Sequence, residues 1–190
     1  MSQVFVKNER TIPANPEAVY AVLADYKEKR PLMLTPNFLD YKVESGGQGS
    51  GTVVSYRLRA ANRERAYRMR VDEVVKGREL MERDRNSSLV TTWILSPQDD
   101  GRQTRVQVTT QWEGGSGVGG FFERTFAPVG LHRIYDQMLD MLTSLVTPAE
   151  KQNGAVVVKK PEGLAPTVVM VGAAAASAYG LYLISKHKRD

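Results

Sequence analysis

From Val4 to Glu113 the chain alternates apolar and polar residues in short runs separated by glycine, proline and acidic turns, the period of two expected of strands buried on one face. Val4 to Ile12 is the first run. Phe38 to Glu44, Thr52 to Ala60, Arg65 to Val75, Arg78 to Arg85, Leu89 to Ser96 and Arg105 to Glu113 follow it. In the second and third of these later runs, Val54, Tyr56 and Leu58 stand opposite Ser55, Arg57 and Arg59, and Tyr67, Met69, Val71 and Val75 stand opposite Arg68, Arg70 and Asp72. In the last, Val106, Val108, Thr110 and Trp112 oppose Arg105, Gln107 and Gln111. Such strands form an antiparallel sheet with one face packed and the other charged. Gly-Gly-Gln-Gly-Ser-Gly at 46–51 reads as a flexible loop, and Gln-Asp-Asp-Gly at 98–101 as a hairpin turn.

The period changes twice. Asn15 is placed to cap a helix with Pro16 at its first position, Glu17 against the dipole and Val19, Val22 and Leu23 as its stripe; this helix is expected to run to about Asp25. A second helical piece over Tyr26 to Met33 is limited by Pro31 and Pro36. From Phe121 to Val146, the spacing of Phe122, Phe126, Val129, Ile134, Met138, Leu142 and Leu145 predicts a long helix, bent or started late because of Pro128 and Gly130. One helix laid on a curved sheet leaves a gap between them, which is the natural place for a ligand.

The rest of the chain reads differently. Residues 148–163 mix breakers with charges and have no sustained period, as a linker does. Leu164 to Ile184 carries no charge, and as a helix it would measure about 32 Å, enough for a bilayer core of roughly 30 Å. Lys159 and Lys160 precede it; Lys186, Lys188 and Arg189 follow. The expected organisation is a domain over 1–147, a linker over 148–163, a transmembrane helix over 164–184 and a basic tail over 185–190. With no signal-peptide pattern at Met1 to Glu9, the span is expected to act as a single-pass C-terminal anchor with the domain cytoplasmic. Gly172, Ala176 and Gly180 share a helix face through which two spans could form a weak homodimer.

Composition removes several chemistries. The 190 residues include no cysteine and two histidines, so disulfides, thiolate metal sites and multi-histidine sites are excluded, and neither a metal nor a cofactor is expected. The net charge of +5 sits mostly in the tail beyond residue 150, leaving the domain near neutrality; that favours an anionic membrane surface over nucleic acid.

Ile12-Pro-Ala-Asn-Pro-Glu-Ala-Val-Tyr-Ala-Val-Leu-Ala-Asp25, followed by the meander and a long helix entered through glycines, resembles the helix-grip superfamily of START lipid-transfer domains, birch-pollen-allergen-like proteins and polyketide cyclases. The resemblance covers roughly residues 3–147. It implies an α+β fold, a curved antiparallel sheet wrapped around the C-terminal helix with a cavity between them. It implies a hydrophobic small molecule or lipid as partner, bound or transferred without chemistry, or as the alternative a cyclase or hydratase acting on an apolar substrate. The stretch Tyr26-Lys-Glu-Lys-Arg-Pro-Leu-Met is more basic than the family pattern, and the hydrophobic tail is an addition to it.

The aromatic and methionine set Tyr56, Tyr67, Met69, Trp93, Trp112, Phe122, Phe126 and Met138 is the candidate lining, because one helix cannot fill a concave sheet. No catalytic residue stands out; Tyr67 or a carboxylate at the rim would carry the proton transfers of the enzyme reading. Gly115, Gly117 and Gly120 satisfy G-x-G-x-x-G without the parallel unit a dinucleotide needs, and read as helix entry or a lid. His132 and Asp136 are spaced as a surface pair on a helix. Arginines 57, 59, 63, 65, 68 and 70 read as an outer face paired with Glu64, Asp72 and Glu73.

Overall fold

The computed structural model describes residues 3–60, 63–114 and 117–147, with the side chains of 117–126 left aside. The predicted linker, the span 164–184 and the Gly172, Ala176, Gly180 face lie outside the described residues, and among the described ones no helix is long and apolar enough to cross a membrane. The elements run β1 (Gln3–Ile12), α1 (Pro16–Leu23), a 3-10 turn (Arg30–Met33), β2 (Phe38–Ser45), β3 (Val53–Ala60), β4 (Arg63–Val75), β5 (Glu79–Asp84), β6 (Val90–Gln98), β7 (Gln103–Glu113) and α2 (Gly117–Val146).

The seven strands form one sheet in the order β1-β7-β6-β5-β4-β3-β2, every pair antiparallel. This is the meander that the alternation predicts, with β1 closing against the last strand. Irregularities between Leu39 and Lys42, Val43 and Ser45, and Glu73 and Val75 interrupt the ladder, and such bulges bend a sheet. The third irregularity also re-aims Val75, which is exposed instead of sharing the inward face of Tyr67, Met69 and Val71.

Asn15 caps α1 as expected, its side chain accepting the Ala18 N–H at 2.8 Å. The helix stops at Leu23, short of Asp25, because the Asp25 carboxylate turns the chain by accepting the amides of Lys27 (3.2 Å) and Glu28 (3.0 Å). The same capture confines the second helical piece to Arg30–Met33. α2 begins at Gly117, before the expected Phe121, and runs through Pro128. Proline there forfeits one backbone bond, and packing of Leu131, Ile134, Tyr135, Met138, Leu139 and Leu142 holds the helix instead. Those six residues recur at three and four, so Val129 and Leu145, placed on the stripe by the looser spacing, are exposed.

Inward residues divide along the strands. Ile12, Met69, Val71, Leu80, Leu95, Val106 and Val108 form an aliphatic end that packs with Val19, Leu23, Leu139 and Leu142. Further along the same strands stand Tyr56, Leu58, Tyr67, Glu82, Thr91, Trp93, Thr110 and Trp112, and here the sheet and α2 leave a cavity.

Candidate functional site

The cavity is lined from β2 through β7 and from α2, where Leu131, Tyr135 and Met138 face the sheet. Its volume is about 60 Å³, room for a handful of waters or the end of a ligand. Tyr56, Tyr67, Trp93, Trp112 and Met138 of the expected set line it together. Met69 does not: it lies fully buried one inward position beyond Tyr67, within the aliphatic end. Phe122 and Phe126 belong to α2, and their side chains lie outside the described residues.

Period-two reading finds strand residues and misses what the loop after α1 contributes. Tyr26 and Arg30 come from that loop, and both are buried. Their position is set by backbone bonds to the glycine loop, Tyr26 N–H to the Gly47 carbonyl at 2.9 Å and Gly49 N–H to that of Ala24 at 2.9 Å, so the loop read as flexible is a clamp. Gly46 is required there: its φ is +70°, and a Cβ would stand 2.9 Å from Thr52 Cα.

Arg30 projects between two rings, 4.7 Å from the Tyr26 centroid and 4.9 Å from that of Trp93. One guanidinium nitrogen donates to the Leu23 carbonyl at 3.0 Å and another to Glu82, whose same oxygen accepts the Tyr26 hydroxyl at 2.7 Å. Burial pulls the Arg30 pKa down, and the Glu82 carboxylate together with the Tyr26, Tyr41 and Tyr56 phenols more than offsets it, so Arg30 ends above its ordinary value and stays charged. Glu82 is inward on β5 by the same alternation that buries Leu80 and Asp84. Both charges are therefore out of water and matched.

Around this pair the surface is phenolic. Tyr56 contacts Phe38, Tyr41 and Tyr67 with centroids 5.1, 6.5 and 5.8 Å apart. Tyr41 donates to the Tyr26 carbonyl at 2.9 Å. On the other wall Thr91 and Thr110 hydroxyls are 2.8 Å apart, and Thr110 bonds the Tyr135 hydroxyl. Burial, ahead of neighbouring charges, pushes Tyr26, Tyr41, Tyr56 and Tyr135 above the ordinary phenol range. These phenols keep their protons at neutral pH and serve as hydrogen-bonding groups, not as bases. Glu82 is the carboxylate that lines the cavity.

The other expectations resolve locally. Asn8 bridges His132 and Asp136, its amide donating to Asp136 Oδ1 at 2.8 Å and its oxygen lying 2.7 Å from His132 Nδ1, away from the cavity lining. Arg57 pairs with Asp40 and Glu64, Arg59 with Glu64, Arg68 with Glu44 and Arg70 with Asp72. Glu73 bonds Tyr20 instead. Arg65 has the inward parity of Tyr67 and stands at the exposed edge of the cavity, not on the outer face. Gly115 lies outside the described residues, and Gly117 and Gly120 belong to α2. Among the described residues no group of three or more acidic or histidine side chains is placed to hold a metal.

A helix gripped by a curved antiparallel sheet, with a cavity between them, defines a domain of the helix-grip class. Residues 3–147 match the family model described as polyketide cyclase / dehydrase and lipid transport, and the chain belongs to that family. The KanY protein, solved by NMR, is 41% identical with a TM-score of 0.67, the match covering 77% of this chain and 99% of that one. The Zhui aromatase/cyclase of Streptomyces (16% identity, TM-score 0.62, 75% and 93% covered) and a START superfamily protein of Mycobacterium smegmatis (11%, 0.58, 75% and 96%) share the fold. No protein of curated function matches. Membership supports binding of a hydrophobic small molecule or cyclase-type function.

Proposed function

We propose that this protein is a membrane-tethered binding module that encloses a small, largely flat apolar molecule or the end of a longer isoprenoid- or lipid-like one, without covalent chemistry. The observation that carries this reading is the cavity itself: rings on several sides, a matched buried ion pair, and phenols that hold their protons. Burying roughly 200 Å² of apolar ligand at about 25 cal/mol per Å² contributes about 5 kcal/mol before association costs. The test is titration of the full chain with 2-acetylnaphthalene. Binding is expected, and Met138→Trp should weaken it about tenfold with no loss of cooperative unfolding. If apolar probes of this size all fail to bind, the carrier reading is wrong.

The second reading, a cyclase-type enzyme, rests on Glu82, a buried carboxylate hydrogen-bonded by Tyr26 within the cavity. The Zhui protein, which shares the fold, is an aromatase/cyclase. That reading requires turnover of a polyketone by the full chain.

The tether is the uncharged run 164–184, which has basic residues on both sides, so charge does not orient it, and the domain is proposed to stand on the cytoplasmic face. Removing residues 161–190 should release the protein from the membrane fraction. A full-length protein soluble without detergent would refute the tether. Gly172→Leu with Gly180→Leu tests the weak homodimer, which should be lost from crosslinking while insertion persists.

A further inference from the structure

Trp93 is 1% exposed at the centre of β6, lines the cavity, and carries the only buried side-chain nitrogen among the described residues without a hydrogen-bond partner. An indole N–H can donate and cannot accept, so only an acceptor satisfies it. Unpartnered buried donors are rare because desolvation is left uncompensated. Beside it, Tyr135 meets the indole edge-on at 6.2 Å and joins Thr110 and Thr91 in a chain of hydroxyls. Tyr135 bonds both Thr110 and Thr91, whose hydroxyls also bond each other, so these three hydroxyls satisfy one another. The Trp93 N–H is therefore the donor that this wall leaves over.

Charge narrows what the acceptor is. Arg30 is already matched by Glu82, and the other cation lining the cavity, Arg65, stands at the exposed edge. A carboxylate pushed to the inner wall would meet Glu82 with no second cation beside it to neutralise its charge.

We infer that the inner wall selects an uncharged oxygen acceptor, a carbonyl or ether oxygen, through Trp93 Nε1. Trp93 is thus a specificity-determining residue, and the ligand is a neutral amphipathic molecule that enters oxygen first. This rests on the binding function proposed above and adds the chemistry of the ligand's inner end.

The test compares three probes of one shape on the full chain by calorimetry: 2-acetylnaphthalene, its hydrocarbon counterpart 2-isopropenylnaphthalene, and 2-naphthoate. The acid should bind at least tenfold more weakly than the ketone. Trp93→Phe should cost the ketone about tenfold more affinity than it costs the hydrocarbon. Should that variant not fold, the unsubstituted protein still decides the matter: the Trp93 indole proton should move downfield in NMR with the ketone and not with the hydrocarbon. Equal affinity of ketone and acid, or the same indole response to ketone and hydrocarbon, overturns the acceptor site while leaving the cavity a binding site. Binding of none of the three overturns the binding function and this inference together.

Discussion

Ile12, Val71, Leu80, Val106 and Val108 close one end of the concave face with aliphatic side chains against Leu139 and Leu142, whereas Tyr56, Glu82, Thr91, Trp93 and Thr110 occupy the other end of the same strands. Both ends are built by one alternation on one sheet. They differ in what the inward positions can do once water has gone. Aliphatic side chains have only each other, so they gain by filling space. Rings, phenols and a matched charge pair have directional requirements, and satisfying them leaves gaps that aliphatic packing would close. The cavity stands at the end where the inward positions carry rings, phenols and the charge pair.

Substitutions along the molecule sharpen or break that contrast. The largest effect should come from Glu82→Gln, which strands the buried Arg30 charge and should cost about 3–5 kcal/mol by urea unfolding; Arg30→Met combined with Glu82→Leu should cost much less than the single change. If the double variant is as damaged as the single one, the pair holds the fold in a way that charge matching does not explain. Next, Leu139→Ala at the aliphatic end should cost about 2–5 kcal/mol, because it opens a new cavity. Leu58→Ala, at the edge of a cavity already present, should cost less than half as much. Equal losses would mean that the two ends are packed alike.

The smallest effect concerns the turn that presents Tyr26 and Arg30. Hydrogen bonds from the amides, that of Glu28 foremost, lower the Asp25 pKa. A carboxylate depressed in the folded state stabilises above its unfolded value and loses that contribution as pH falls through the folded one. Asp25→Asn should therefore remove a shallow loss of stability below about pH 4, seen as thermal midpoints that vary less between about pH 5 and 3. An unchanged acid limb would assign that loss to other carboxylates.

Much of the architecture was readable because alternation and capping act locally. Seven strand-like runs, the Asn15 cap and a final long helix follow from neighbours within a few residues. Part of the cavity was readable for the same reason: Tyr56, Tyr67, Trp93 and Trp112 are inward residues of predicted strands. Met69 was misplaced because parity says which face a residue is on and not how far along the strand the packing closes. Arg30 and Glu82 were missed since each, alone, reads as a surface charge. Only the pairing of residues 52 positions apart makes burial tolerable. The one local clue is the basic departure at Tyr26 to Met33, within which Arg30 stands.

The central claim, that the aromatic end is a ligand site and the aliphatic end is structure, is tested most directly by mapping one ligand on the full chain. The chain holds two tryptophans, and both line the cavity. Titration with 2-acetylnaphthalene, followed by NMR, should shift the indole signals of Trp93 and Trp112 together with the Met138 methyl while the methyls of Ile12, Leu139 and Leu142 stay in place. Shifts centred on those aliphatic methyls, with the indole signals unmoved at saturation, would contradict the account.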